Sequence, residues 1–362
     1  MKTFLKKISI IILVAVLLIA VSSHLIYWHI QKKQVNYLKY ESGLIYTQYK
    51  HLDNKQYNTM FLGTSKMYRQ VDPLVIDSIV ANTKSINMGV NNLYPFRSFD
   101  FERFISPKCD SIKTILYEIR TPGLIGKNYN SVRTLISISG KRNQQLLNYL
   151  ISADYSFKLK VKSIINYLKM FLYKSFGIGL RRLIEMEEPQ EYYEFGGPTE
   201  QGYYALEDQM KKEMEHGHNS GAVSDYNNFK DWLQSNTIAN YFSINRDILL
   251  NKEFKYSAFS KITVDHLKRY FPNARIIFVI PPHTNSSFYP ILFNEGRNYE
   301  KLGYSVLDYT YQDKYPQLYE DITSFDIGHL NSVGAAIYSA YLANDIKLTT
   351  NQKINIQLQL QQ

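Results

Sequence analysis

Two short strings in this sequence hold the residue types of an acyl-transfer site. Gly63–Thr64–Ser65 supplies a hydroxyl, and Asp326–Ile327–Gly328–His329 supplies an imidazole with a carboxylate three residues before it. A serine hydroxyl is a weak nucleophile until a base takes its proton. His329 is the natural base, and Asp326 suits the part of holding the ring in the required tautomer through its ring N–H. A positioned base of this kind is worth about 10²–10⁴-fold in rate. Either string alone is common. Together they gain weight from an apolar strand that runs into Gly63 and from a helical pattern that follows His329.

Other polar residues compete for attention. Arg120 follows an apolar run, where it could stabilise an oxyanion, bind a substrate carboxylate or pair with Glu118. His283 follows Pro281–Pro282 and is either a pocket-lining group or, more often in such a place, a plain loop histidine. Glu213, His216 and His218 have a spacing that a metal could use, but a solvated helix end explains them better. Arg69 and Asp72 read as a local pair or cap. No metal site and no cofactor are expected.

These residues need elements to hold them. Short apolar blocks at Met60–Leu62, Ser85–Gly89, Thr114–Ile119, Arg275–Ile280 and Tyr304–Asp308 read as strands. Helical spacing covers Lys261–Phe271 and Gly334–Ile346. Strands that run in apolar blocks and alternate with helices predict a parallel sheet covered on both faces. Ligands in such folds sit beyond the carboxyl ends of the strands, and Gly63, Gly89 and Arg120 all fall there. Between about 123 and 256 the strand signal vanishes, leaving a helical insertion with one helix near Leu206–Glu215. Within it, Lys141–Arg182 carries Lys141, Arg142, Lys158, Lys160, Lys162, Lys169, Lys174, Arg181 and Arg182 against a single acid, Asp154. Apolar residues from Phe157 to Leu172 recur there at helical spacing, the pattern either of a basic amphipathic helix on a membrane or of a helix packed on the sheet domain with solvated lysines. The tail residues Ile354, Ile356, Leu358 and Leu360 alternate with polar ones, as an edge strand or a frayed end does.

The order of the blocks is informative. Phe61–Leu62–Gly63–Thr64–Ser65, then Asn87–Met88–Gly89–Val90–Asn91, then Asp326–Ile327–Gly328–His329–Leu330–Asn331–Ser332–Val333–Gly334–Ala335 resembles the SGNH/GDSL hydrolase superfamily over about 57–120 and 261–346. The resemblance implies a flavodoxin-like three-layer α/β/α fold, Ser65 as nucleophile, His329 as base and Asp326 as its orienter. It implies the Ser65 and Gly89 N–H groups as oxyanion donors, with Asn91 of the same block a candidate substrate or oxyanion contact. Typical members carry a Gly-x-Asn-Asp block after the third strand, whose Asn is a further donor; here the strand ends Tyr117–Glu118–Ile119–Arg120–Thr121–Pro122 without one. This variant is similar to envelope branches of the superfamily that work with polysaccharide or teichoic-acid acylation. An acylated glycan substrate and a multispanning membrane acyltransferase partner are what that implies.

Composition bounds the setting. With 45% apolar residues the chain is that of a folded protein. The net charge of +10 favours an anionic surface, and in the absence of a nucleic-acid-binding motif membrane lipid is the expected partner, with no nucleic acid. Cys109 is the single cysteine, so no intramolecular disulfide can form. Residues Ile8–Trp28 carry no charge and at about 1.5 Å per residue reach about 30 Å, a hydrocarbon thickness. Lys2, Lys6 and Lys7 precede this run. The expectation is one uncleaved anchor (1–30) with the tip in the cytoplasm, a cleaved signal peptide being the alternative. A stalk (31–56), the sheet domain (57–348) and a tail (349–362) follow. The large domain then faces the periplasm or exterior of a bacterial inner membrane.

Overall fold

The structure is a computed structural model and describes residues 2–32, 43–52, 57–91, 95–120, 157–176, 199, 201–217, 219, 221–243, 253–284 and 289–360. All five expected strands form: β1 (Thr59–Leu62), β2 (Ser85–Asn87), β3 (Thr114–Glu118), β4 (Arg275–Ile280) and β5 (Ser305–Asp308). They make one parallel sheet in the order β2-β1-β3-β4-β5. This is the flavodoxin-like doubly wound order, whose switch point lies where β1 has β2 on one side and β3 on the other. The inner strands are buried on both faces, which is why they read as unbroken apolar blocks.

Two sets of helices cover the sheet. On one side α3 (Ser65–Gln70) and α4 (Pro73–Ile79) pack with α12 (Ser332–Leu360). Phe61, Leu116, Ile277 and Val279 face Val71, Ile76, Tyr338, Leu342 and Ile346 in a common core. The other set is α5 (Pro95–Ile105), α10 (Ala258–Tyr270) and α11 (Tyr289–Lys301), where Phe278 stacks on Tyr299 at 3.6 Å between ring centres.

The insertion divides in two. Residues 123–190 group with the N-terminal 1–46, whereas 191–256 belong to the unit that holds the sheet. Packing within each unit follows this grouping. In the first unit, α6 (Phe157–Ser175) lies on α1 (Lys2–Lys32). In the second, Gln201 O accepts the Asn87 N–H at the end of β2, and Phe229 of α8 (Ala222–Leu233) enters the sheet core. Gly202 (φ +86°) permits that approach, because a Cβ there would collide with Asn87 O. α7 spans Leu206–Glu215, and a short α9 spans Ile238–Tyr241.

The tail differs from the edge-strand expectation: α12 continues as a helix to Leu360. No glycine or proline follows Gly334 before Leu360 to stop it, and extending an existing helix costs far less than nucleating a new element. Of the expected stalk, Gly43–His51 is the helix α2, and 33–42 and 53–56 lie outside the described residues. In α1, Lys6–Ile26 is long and apolar enough to cross a membrane, and only 6% of that stretch is buried within the protein, unlike a soluble core helix.

Candidate active site

Ser65 opens α3 directly beyond the carboxyl end of β1, at the switch point. As the first helical residue it has an N–H with no acceptor inside the helix. Thr64 caps the helix through a long 3.4 Å contact from Lys66 N. A stronger restraint is Glu118 at the end of β3. Its carboxylate accepts Thr64 N–H at 2.6 Å and the Thr64 hydroxyl at 2.8 Å. Gly63 is glycine for the same reason: a Cβ would sit 2.5 Å from Met67 Cγ and 2.7 Å from Glu118 Cβ.

The other half of the site hangs on a tight loop. Ser324 bridges Leu330, Phe325 N–H donates to His329 O at 2.9 Å, and Asn331 N–H donates to Thr323 O at 3.0 Å. Asn331 then caps α12 by accepting Gly334 N–H at 2.9 Å, and Glu207 of α7 accepts Ser332 N–H at 2.6 Å. Gly334 is required here because a Cβ would collide with Thr323 O. Asp326 Oδ1 accepts the N–H groups of Gly328 (2.5 Å) and His329 (2.8 Å). The same carboxylate meets His329 Nδ1 at 2.9 Å through Oδ2. Burial pushes the Asp326 carboxyl up. The His329 hydrogen bond, the imidazole's charge and the two backbone donors outweigh it and hold Asp326 below the usual range.

The two halves meet. His329 Nε2 lies 3.0 Å from Ser65 Oγ, so hydroxyl, imidazole and carboxylate form one hydrogen-bonded line, the geometry of a serine–histidine–aspartate relay.

Lys66 holds the halves together and had no signal in the sequence beyond its place next to Ser65. Its ammonium donates to Pro282 O (3.2 Å), His283 O (2.5 Å) and Gly328 O (3.1 Å). The helix that carries Ser65 is thereby tied to the loop after β4 and to the Asp326–His329 loop. Gln70 adds a bond to Gly328 O at 3.1 Å. Burial lowers the Lys66 ammonium to about 8, against the opposing pull of Glu118 and Asp326. Glu118 is pushed up, with burial ahead of the Thr64 bonds and of the Arg120 and Lys66 charges. On α8, Asp225 is likewise held above the usual carboxylate range by desolvation and by the Asp326 charge, with His329 opposing.

Three expected site residues are engaged elsewhere. Gly89 N–H donates to Asn87 Oδ1 at 3.0 Å, so the expected oxyanion donor is satisfied locally. Asn87 also clamps α3, donating to Met67 O (2.7 Å) and Val71 O (2.8 Å). Arg120 is buried among Ser98 Oγ (3.0 Å), the Tyr117 hydroxyl and Glu102 (3.5 Å), and its charge also acts on Glu118. Glu102 in turn pairs with His266 at 3.2 Å. His283 is buried, with Nε2 2.6 Å from Leu318 O and its ring stacked on Phe242. Burial, followed by the charge of Lys66, depresses that imidazole to about 3. Its backbone carbonyl accepts from the Lys66 ammonium. Asn91 is exposed, two residues past Gly89.

The weaker candidates resolve simply. Asp72 caps α4 by accepting Leu74 N–H at 2.9 Å. Arg69 reaches Tyr204 O at 3.1 Å and Gln209. Glu213 is buried on Gln209 and Val223 N–H, His216 is exposed, and His218 lies outside the described residues.

Among known proteins, no family model and no curated protein matches this chain.

Proposed function

We propose that the sheet unit is a serine acyl esterase or O-acyltransferase of the SGNH/GDSL type. One observation carries the reading: Ser65 Oγ, the His329 ring and the Asp326 carboxylate lie in line at 3.0 and 2.9 Å. In the reaction His329 Nε2 takes the Ser65 proton as the hydroxyl attacks an ester carbonyl, and Asp326 stabilises the imidazolium. The leaving alcohol takes the proton back, leaving an acyl-serine. Water releases the acid, or a second hydroxyl takes the acyl group; in either case His329 activates the attacking O–H. Ser65 N–H, at the head of α3, is the donor best disposed toward the oxyanion. The substrate class follows from the resemblance and from α1: an acyl ester on a cell-envelope glycan, met outside the inner membrane by an enzyme tethered through a single span. Acetyl release from an acetylated envelope polysaccharide, wild type against Ser65→Ala, tests it. Release by the variant at the wild-type rate refutes it.

A specific observation favours a second reading. Gly89 N–H is satisfied by Asn87 and Arg120 is turned to Glu102, which leaves oxyanion support thin. The same cleft then binds glycan, or docks on a multispanning membrane acyltransferase, without turnover. Co-purification with such a partner, together with no acyl release, distinguishes it.

A further inference from the structure

α6 joins no sheet and takes no part in the site. It groups with α1, and the two are held together near the far end of the apolar span. There His24 Nε2 lies 3.0 Å from Ser175 Oγ, and the His24 ring packs 5.3 Å from that of Phe171. Ser23 is buried, while the first two-thirds of the span are open. α6 therefore docks where α1 approaches the end of the hydrocarbon.

Among the described residues, the rest of α6 has no protein partner for its apolar face. Phe157, Val161, Ile165, Leu168 and Leu172 recur at steps of three and four, which at about 100° per residue puts them on one side, and all five are exposed. A solvated helix does not present such a stripe, since exposed apolar patches mark something that covers them. The flanks identify the cover. Lys158, Lys162 and Lys169 border one side of the stripe and are exposed, Lys160 borders the other, and Phe157–Ser175 contains no acid. Apolar face, basic borders and attachment to a membrane-length helix together fit one occupant. We infer that α6 lies in the headgroup region of an anionic phospholipid bilayer, its Phe157–Leu172 stripe toward the acyl chains and its lysines on lipid phosphates. This inference rests on α1 crossing the membrane and is independent of the chemistry at Ser65.

The test uses the full chain in proteoliposomes made with phosphatidylglycerol and phosphatidylcholine, or with phosphatidylcholine alone. Cys109 is buried and burial pushes its thiol up to about 12, so an introduced cysteine is the reactive one. An environment-sensitive fluorophore is placed at Leu168→Cys, at Asn166→Cys on the opposite side, and at Leu17→Cys within α1. The expected result is blue-shifted emission at positions 168 and 17, quenched by spin-labelled lipid, with water-like emission at 166. Lys158→Glu, Lys162→Glu and Lys169→Glu combined, or 1 M salt, which shortens the Debye length to about 3 Å, should weaken the signal at 168 and leave 17 unchanged. Water-like emission at 168 with lipid quenching at 17 overturns the inference alone. Blue-shifted emission at 168 without lipid quenching overturns it in favour of a protein partner. Loss of lipid quenching at both positions overturns it together with the anchor.

Discussion

The two sides of the site are built to different standards. On the nucleophile–base side, successive polar groups are engaged: Glu118 holds Thr64, Lys66 spans three carbonyls, and Asp326 carries two N–H groups as well as the imidazole. On the oxyanion side, Gly89 N–H is taken by Asn87 and Arg120 by Glu102. A relay of proton-transferring groups demands fixed distances, so it is braced. In the proposed reaction an oxyanion forms only transiently, and Gly89 N–H and Arg120, two groups expected to meet it, are bound to Asn87 and Glu102. The contrast teaches that an intact relay and full transition-state stabilisation are separable properties, and it can be broken from either side.

The largest effect is expected at the braced side. Ser65→Ala should abolish acyl-enzyme formation, and His329→Ala should lower it by at least about 10³-fold, with the double variant no worse than Ser65→Ala. Additive losses in single-turnover assays would mean the two residues do not act as a unit.

Next comes the other side. Arg120→Met removes one partner of a buried pair, with an expected cost of about 3–5 kcal/mol in urea unfolding. The rate per folded molecule should change by less than about tenfold, below the ~2.7–4 kcal/mol that one oxyanion donor is worth. A larger rate loss would return Arg120 to the site.

Lys66→Met leaves the Pro282, His283 and Gly328 carbonyls without their donor, so a loss of about 1–3 kcal/mol is expected. Turnover should fall as well, because the Asp326–His329 loop is freed from α3. Lys66→Arg should recover stability better than turnover, since a planar fork does not reproduce a compact three-way donor.

The smallest effect is in acid. The Asp326 carboxyl is depressed in the folded chain, so its share of stability is fully present above about 3.8 and is lost as pH falls through the lower folded value. Asp326→Asn should flatten the difference between unfolding at pH 5 and at pH 3 relative to wild type. An unchanged difference would mean that the Asp326 carboxyl is not depressed by folding.

Much of this is legible in the sequence. The strands at Met60, Thr114 and Arg275 announced themselves because burial on both faces demands unbroken apolar runs. Ser65, Asp326 and His329 were legible because a block order carried them. The partners of Arg120 and His283 were not. A strand-end side chain turns toward whichever group packing brings near, and Glu102 and Leu318 come from elements with no local mark. Lys66 was hidden for a similar reason, since its acceptors are backbone carbonyls that any residue could supply. The tail misled because alternation at Ile354–Leu360 mimics a strand, while helix continuation depends only on the lack of a stop.

The most direct test of the central claim is intact-mass and peptide mapping after treatment with a fluorophosphonate. The account predicts a single adduct on Ser65, absent in Ser65→Ala and strongly slowed in His329→Ala. No adduct on the wild type, or an adduct that persists in Ser65→Ala, would contradict it.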